Sequence, residues 1–249
     1  MYSVKAIAFD LFNTLITIHP DAMERAHQGM VSALHEQEIP VDTGSFMHAY
    51  VEAATRFLLD AKKDGRETHN RFWIAAAIES QGYPISPEDT RIAQAVESYF
   101  SAFYPHCRLV PGTKEILEQL AGRYRLGLLT NFTHPPAALR IITLMGLHPF
   151  FQTVLISGEL GYRKPHSYVF SRLVDQLGIP AEQVLFVGDD PEADVQGARN
   201  AGLQPLLTTC VLDENIPSVQ TPLSPPMTEY PPGVPRISSW RDLLLLLEA

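Results

Sequence analysis

Short runs of branched apolar residues alternate with amphipathic stretches throughout residues 110–208. The apolar runs have the length and composition of strands buried on both faces. These predicted strands lie at residues 124–130, 153–157, 183–188 and 204–208. The stretches between them have helical spacing and predict helices at residues 136–145, 167–177 and 195–201. Strands that alternate with helices in this way form a parallel sheet with helices on both faces, so we predict an α/β, Rossmann-like fold.

The first hundred residues have a different pattern. Residues 5–10 form a short apolar run that ends in an acid, which predicts a buried strand with a carboxylate at its end. Apolar residues then recur at helical spacing, and no strand is predicted in this region. The predicted helices lie at residues 21–38, 43–64, 70–81 and 87–104. We therefore predict two domains: an α/β core built from residues 1–16 and 106–249, and a helical domain of residues 17–105 inserted after the first strand.

Composition limits the function classes. The chain has 249 residues, a formal net charge of −9 and two cysteines. Nucleic acids and anionic membranes bind to basic protein surfaces. Because this chain is acidic, neither is an expected partner. The cysteines are far apart and form no zinc-binding spacing. The N-terminus does not resemble a secretory signal, and no apolar run is long enough to span a membrane. We expect a cytoplasmic protein that is a monomer or a homodimer.

The C-terminal region is rich in proline. Residues 211–236 contain seven prolines, which predicts an extended surface loop without helix or central strand. A final helix is predicted at residues 239–248, and Ser239 and Asp242 have the spacing of a capping pair.

Polar side chains follow the predicted strands at the points where the strands end. Because the carboxyl ends of parallel strands share one edge of a sheet, these side chains should converge where ligands bind. The candidates are Asp10, Thr130, Asn131, Lys164, Asp189, Asp190 and Asp194. Clustered carboxylates repel one another unless a cation lies among them, and Mg²⁺ is the ion suited to oxygen ligands beside phosphate. The lysine would bind an anionic substrate oxygen, and the threonine hydroxyl would donate a hydrogen bond.

This set of groups suits one type of reaction. A carboxylate beside an ammonium group and Mg²⁺ can act as a nucleophile. Charge neutralisation and positioning are the main requirements of phosphoryl transfer. The residues therefore favour phosphoryl transfer through an aspartyl-phosphate.

Four segments carry a resemblance to a known family. Residues 9–15 (FDLFNTL), 128–131 (LLTN), 163–165 (RKP) and 187–194 (VGDDPEAD) resemble, in order, the four motifs of the haloacid dehalogenase superfamily. The helical insert resembles that family's C1-type cap. The resemblance implies a mobile cap with hinges near residues 16–20 and 104–110.

The same resemblance implies a role for each motif residue. Asp10 would be the nucleophile, and Thr130 and the backbone at Asn131 would bind phosphate. Lys164 would stabilise both the nucleophile and the phosphate. Asp189 would bind Mg²⁺, together with Asp10 and the backbone carbonyl of Phe12, and Asp190 or Asp194 would complete the coordination. The implied catalytic set is Asp10, Thr130, Lys164 and Asp189.

One residue departs from the family pattern. Phosphatases of this family carry a second aspartate two residues after the nucleophile, as the acid for the leaving alcohol, and this chain has Phe12 there. Such acid catalysis contributes about 10²–10⁴-fold to a rate. The first hypothesis is therefore a Mg²⁺-dependent phosphatase of a small phosphorylated metabolite that is slow, uses another acid, or prefers leaving groups that need no proton. His19 is a candidate acid, although an exposed hinge residue is the favoured interpretation.

Two other hypotheses stay open. A 2-haloacid dehalogenase needs no leaving-group acid, and its family members carry an aromatic residue at the position of Phe12. However, the aspartates of the fourth motif resemble a metal site, and residues 36–45 lack the arginine that would hold a halide. The last hypothesis is a non-catalytic protein that keeps the fold and binds a phosphorylated ligand or a partner.

Overall fold

A computed structural model describes residues 3–219 and 232–248 of the chain. It contains strands β1 (Ala6–Phe9), β2 (Ile16–Ile18), β3 (Cys107–Leu109), β4 (Arg125–Thr130), β5 (Thr153–Ile156), β6 (Val184–Gly188), β7 (Gln204–Thr208) and β8 (Arg236–Ile237). Six of them form one sheet in the order β5-β4-β1-β6-β7-β8, and each neighbouring pair is parallel. The predicted α/β, Rossmann-like fold is confirmed.

Helices lie on both faces of this sheet and in a separate group between β2 and β3. They are α1 (Asp21–Glu36), α2 (Thr43–Asp64), α3 (Asn70–Glu79), α4 (Thr90–Ser101), α5 (Thr113–Ala121), α6 (Pro135–Leu144), α7 (Ser157–Leu160), α8 (Ser167–Leu177), α9 (Gly197–Asn200), α10 (Cys210–Asp213) and α11 (Trp240–Glu248). Along β1, Ile7 and Phe9 belong to one buried apolar cluster, whereas Ala6 and Ala8 belong to another. Because successive strand residues point to opposite faces, the two clusters lie on opposite sides of the sheet.

The four helices between β2 and β3 pack on one another. Helix α1 packs against α4, and α2 packs against α3. We call residues 21–101 the helical segment. The last helix was predicted from residue 87, but α4 begins at Thr90 because the carboxylate of Asp89 accepts a hydrogen bond from the backbone N–H of Arg91 and caps the helix there. The helix predicted to residue 38 ends at Glu36, since Glu38 has a left-handed backbone with φ of 58°.

The sequence predicted no strand among the helices of residues 21–104, and two short strands that it did not predict lie just outside this region. Strands β2 and β3 form a small antiparallel sheet where the chain leaves and re-enters the α/β part. The backbone N–H of Val110 also donates to the carbonyl of Leu15 at 2.9 Å. Each strand has only three residues, and its partner is about ninety residues away in sequence, so a local pattern gives little sign of the pairing.

The C-terminal region differs from the sequence-based prediction in three places. Residues 191–196 form a π-helical turn before α9, where one regular helix was predicted from residue 195. Helix α10 and edge strand β8 lie at the two ends of the proline-rich stretch, where no helix was predicted. The rest of that prediction falls partly on residues 220–231, outside the described residues. Before α11, Asp242 and Ser239 cap each other's backbone N–H groups as predicted.

Within the described residues, no helix is both long enough and apolar enough to cross a membrane.

Candidate active site

The carboxylate of Asp10 is bound to the ammonium group of Lys164 at the carboxyl edge of the sheet. Asp10 follows β1 directly, and its backbone N–H donates to the carbonyl of Val187 at 2.9 Å. The Lys164 Nζ lies 2.5 Å from the Asp10 Oδ1 and also donates to the carbonyl of Leu129 at 3.0 Å. Both side chains are buried. Two of the predicted site residues, 154 positions apart in sequence, are thus in direct contact.

A second carboxylate completes the environment of this ammonium group. The Oδ1 of Asp194 lies 2.7 Å from Lys164 Nζ, and its Oδ2 accepts from the backbone N–H of Asp190 at 3.0 Å. Asp194 reaches back to this position because residue 188 is glycine. A Cβ on Gly188 would lie 2.6 Å from the Cβ of Asp194 and closer still to its carboxylate. The π-helical turn at residues 191–196 carries Asp194 toward the sheet edge, where such turns often mark functional sites.

Three carboxylates form a cluster that could hold a metal ion. Oxygen atoms from Asp10, Asp189 and Asp194 all lie within 4.8 Å of one another. An all-oxygen set of this kind suits a hard divalent cation. Among the described residues, Lys164 is the one buried cation in this cluster, so the cluster keeps an excess of negative charge that a further cation would relieve.

This crowding shifts the pKa values of Asp10, Lys164, Asp189 and Asp194. Burial raises the pKa of Asp10, although Lys164 acts in the opposite direction. Burial, with the charges of the other aspartates, holds the pKa of Asp189 well above its ordinary value and raises that of Asp194 to about 7. Burial lowers the pKa of Lys164, but the attraction of Asp10 and Asp194 outweighs it and the net shift is upward. The carboxylates thus disfavour one another's charged forms, and a divalent cation among them would favour those forms.

Thr130 and Asn131 occupy the end of β4 and use their side chains differently. The Thr130 hydroxyl is buried and has no hydrogen-bond partner among the described residues. Buried hydroxyls are normally paired, so this one fits a site for a bound oxygen ligand such as phosphate. The Asn131 side chain instead accepts from the backbone N–H of Lys164 at 2.8 Å and donates to its carbonyl at 3.0 Å. Asn131 therefore holds the loop that carries Lys164.

The side chain of Asp190 caps the helical turn that follows it. Its Oδ1 accepts from the backbone N–H groups of Glu192 and Ala193 at 2.8 and 2.9 Å. Asp190 is not among the three carboxylates that converge within 4.8 Å. Of the predicted metal-binding side chains, the structure brings together Asp10, Asp189 and Asp194.

Phe12, two residues after Asp10 in sequence, belongs to a row of aromatic rings. Its ring stacks on Phe132 with centroids 5.1 Å apart, and Phe132 contacts Phe100 of α4 at the same centroid distance. Phe100 in turn stacks on His134 at 4.9 Å. We call Phe12, Phe132 and Phe100 the aromatic row. It places apolar surface where the family's phosphatases have an acid, and it links the strand ends to the helical segment.

The structure also shows residues that the sequence did not single out. The Glu67 carboxylate, from the loop between α2 and α3, contacts Ser157 and Arg163 of the α/β part. His69 of the same loop is hydrogen-bonded to His134. Nothing in the local sequence distinguishes Glu67 or His69, because their partners are 65–96 residues away. His19, by contrast, accepts from the backbone of Asp21 and is half exposed, as favoured from the sequence.

Comparison with known proteins agrees with this geometry. A family model described as haloacid dehalogenase-like hydrolase matches residues 4–202, which include all four motifs. The chain belongs to the haloacid dehalogenase-like hydrolases. The resemblance predicted from the motifs is confirmed.

Curated relatives of this hydrolase are named as phosphatases. The chain is 32% identical to the glyceraldehyde 3-phosphate phosphatase of Methanothermobacter thermautotrophicus, over 85% of this chain and 88% of that protein. It is 31% identical to the ribulose-1,5-bisphosphate 5-phosphatase of Halopiger xanaduensis, over 81% and 83% of the two chains.

A solved structure supports the fold of this hydrolase. The 2-haloacid dehalogenase from Pseudomonas syringae pv. Tomato DC3000 aligns with a TM-score of 0.74 and 21% identity, and the alignment covers 98% of both chains. At this level of identity, the similarity establishes the fold alone. The reaction has to be inferred from the site residues.

Proposed function

We propose that this hydrolase is a Mg²⁺-dependent phosphatase of a small phosphorylated metabolite, with Asp10 as the nucleophile. The observation that carries the proposal is the cluster of Asp10, Asp189 and Asp194 around Lys164. The unpaired hydroxyl of Thr130, at the same sheet edge, supports a phosphate site beside it. The phosphatase relatives, which share about 30% identity, support the same substrate class.

The reaction would proceed in two displacements. An Oδ of Asp10 attacks phosphorus, and the bond from phosphorus to the leaving oxygen breaks with its electron pair on that oxygen. Water then attacks the phosphorus of the aspartyl-phosphate and gives up a proton to solvent. The bond to Asp10 breaks with its electron pair on the carboxylate, and inorganic phosphate leaves. Lys164 and the Thr130 hydroxyl would bind phosphate oxygens during both steps. Mg²⁺ held by Asp10, Asp189, Asp194 and the carbonyl of Phe12 would neutralise the charge on the phosphate.

The aromatic row affects the first displacement. Phe12 carries no proton, so the leaving oxygen would depart as an anion or take its proton from water. Substrates with stable leaving anions, such as acyl and aryl phosphates, are therefore expected to react faster than alkyl phosphates. The apolar surface of the row would also contact an apolar leaving group.

The helical domain would close over this site. We propose that residues 17–105 form a cap on a core of residues 1–16 and 106–249. The contacts of Glu67 with Ser157, and of His69 with His134, join the two parts on the side of the sheet that carries the candidate site. Closure would exclude water from the reacting phosphate.

A direct test measures phosphate release from acetyl phosphate and p-nitrophenyl phosphate with and without Mg²⁺. The proposal predicts Mg²⁺-dependent release that is lost in Asp10→Asn. The matched control is Asp175→Asn, the same change at an exposed position on α8. Release that persists in Asp10→Asn, or no release from either substrate, would contradict the proposal.

A dehalogenase is the second candidate, because Phe12 suits a leaving group that needs no proton. The same samples should be assayed for halide release from 2-chloropropionate. Halide release without metal, in the absence of phosphate release, would favour this function. The crowded carboxylates around Lys164 argue against it, because their negative charge opposes a departing halide.

A further inference from the structure

The loop between α2 and α3 is bound to the segment that leads into Lys164. The backbone N–H of Glu67 donates to the carbonyl of Gly161 at 3.0 Å, and the N–H of Arg163 donates to the carbonyl of Gly65 at 2.9 Å. The approach is close: Gly65 has φ of 73°, and a Cβ there would lie 2.7 Å from the His166 ring. This contact is a short antiparallel pairing between the helical segment and the α/β part.

The Glu67 side chain extends from this pairing into a buried position. Only 2% of it is exposed. One carboxylate oxygen accepts from the Ser157 hydroxyl at 2.6 Å, and the other lies 3.4 Å from the Arg163 guanidinium. The Ser157 hydroxyl oxygen in turn accepts from the backbone N–H of Phe132 at 2.8 Å. A carboxylate buried to this extent needs such partners, because an unpaired buried charge is costly.

These partners are adjacent to the groups that would bind phosphate. Phe132 lies two residues after Thr130, at the end of β4, and Arg163 directly precedes Lys164. One carboxylate of the helical segment therefore restrains two different loops of the site. Asn131 joins the same two loops from within the α/β part, through its hydrogen bonds to the Lys164 backbone.

We propose that Glu67 is a positioning residue, which fixes Thr130 and Lys164 through Ser157 and Arg163 when the helical segment is seated. It is not one of the three carboxylates that converge at the candidate metal site. Because a displacement of about 1 Å in a catalytic group can lower a rate about a hundredfold, this restraint bears on turnover as well as on stability. The expected effect on turnover rests on the proposed phosphatase function. The restraint of the two loops by Glu67 does not depend on that function.

The kinetic test compares Glu67→Ala, Glu67→Gln and Ser157→Ala with wild type, using acetyl phosphate and Mg²⁺ well below each melting temperature. We expect kcat to fall at least about tenfold in Glu67→Ala and less in Glu67→Gln, which keeps an acceptor for Ser157. Because Glu67 acts through Ser157, the double variant Glu67→Ala/Ser157→Ala should lose less than the product of the single losses. The control is Glu79→Ala, an exposed glutamate at the end of α3.

Hydrogen exchange separates this inference from the proposed function. In Glu67→Ala, the backbone amides of Phe132 and Arg163 should exchange faster than in wild type, with no such change in Glu79→Ala. Faster exchange at these amides in Glu67→Ala, together with no phosphate release by the wild-type protein, would contradict the phosphatase proposal and leave the positioning of the loops supported. A lower melting temperature with unchanged kcat and unchanged exchange at these amides would overturn the inference. If Glu67→Ala does not fold, kcat and amide exchange are compared between wild type and the variants Glu67→Gln and Ser157→Ala.

Discussion

The Nε2 of His69 and the Nδ1 of His134 lie 2.9 Å apart, so an imidazole of the helical segment is hydrogen-bonded to an imidazole of the α/β part. The neighbouring contacts determine which nitrogens carry protons. His69 accepts at Nδ1 from the backbone N–H of Arg71, so its proton is on Nε2 and is donated to His134. His134 therefore carries its own proton on Nε2 and donates it to Glu97 at 2.8 Å.

Acidification should weaken this contact. Burial, followed by the nearby charges of His134 and Arg71, lowers the pKa of His69 from its ordinary value of 6.5 to about 4. A histidine whose pKa is lower in the folded state than in the unfolded state stabilises the fold above pH 6.5 and loses that stabilisation as pH falls toward 4. Melting temperature measured between pH 7 and pH 4 should thus fall more steeply in wild type than in His69→Asn, where asparagine keeps the helix cap without titrating.

The control for this prediction is His48→Asn, which changes an exposed histidine on α2. It should have the same slope as wild type. Equal slopes in wild type and His69→Asn would contradict the prediction.

Phe12→Asp should change which leaving groups react. An aspartate at this position could protonate a leaving alcohol, which contributes about 10²–10⁴-fold where the leaving anion is unstable. We expect kcat for an alkyl phosphate such as glycerol phosphate to rise at least about tenfold, with little change for acetyl phosphate. Steady-state phosphate release from both substrates is the measurement.

Phe12→Leu is the matched control, because it removes the stacking on Phe132 without adding an acid. A rise of alkyl phosphate turnover in both variants would mean that the aromatic ring, rather than the missing acid, limits the reaction. No rise in Phe12→Asp would contradict the role given to this position.

The sequence predicted the succession of strands and helices along residues 110–208 and the convergence of the site residues. Helix α8 begins and ends at the predicted residues, because its apolar spacing and the glycine after it are local signals. Asp10, Lys164, Asp189 and Asp194 were predicted to converge because parallel strands end at one edge.

What the sequence could not predict depends on contacts between distant residues. In the π-helical turn, Asp194 reaches back over Gly188 to Lys164, a contact that no local periodicity expresses. Glu67 is one of several charged residues around Gly65, and only its burial against Ser157 distinguishes it. Strands β2 and β3 were missed for the same reason, because each is stabilised by a partner far along the chain.

Mg²⁺ should stabilise the folded protein. A cation that binds only the folded state adds about 2.7 kcal/mol at a concentration of 100 times its Kd, which for a chain of this size corresponds to a rise of roughly 5–10 °C in Tm. Asp189→Asn should reduce this shift, because it removes one of the three converging carboxylates. Without Mg²⁺ the same variant should melt at or above the wild-type temperature, since it also removes a repulsive charge.

Thermal melting with and without Mg²⁺ checks this prediction, and Asp175→Asn should keep the full shift. An equal Mg²⁺ shift in wild type and Asp189→Asn would show that the cation binds elsewhere.

Gly188→Ala should disrupt the site through packing alone. A Cβ at this position overlaps the Asp194 side chain, which is itself held by Lys164 and by the backbone of Asp190. Asp194 must then move and leave a buried ammonium group with one carboxylate fewer. Because breaking a buried ion pair costs about 3–5 kcal/mol, we expect urea denaturation to show a loss of at least about 3 kcal/mol together with loss of phosphate release. The control is Gly122→Ala, at the end of α5, where a Cβ meets no atom within 4 Å and φ is −78°; its stability should stay within about 1 kcal/mol of wild type. A Gly188→Ala protein as stable and active as Gly122→Ala would mean that Asp194 does not need the position that the structure gives it.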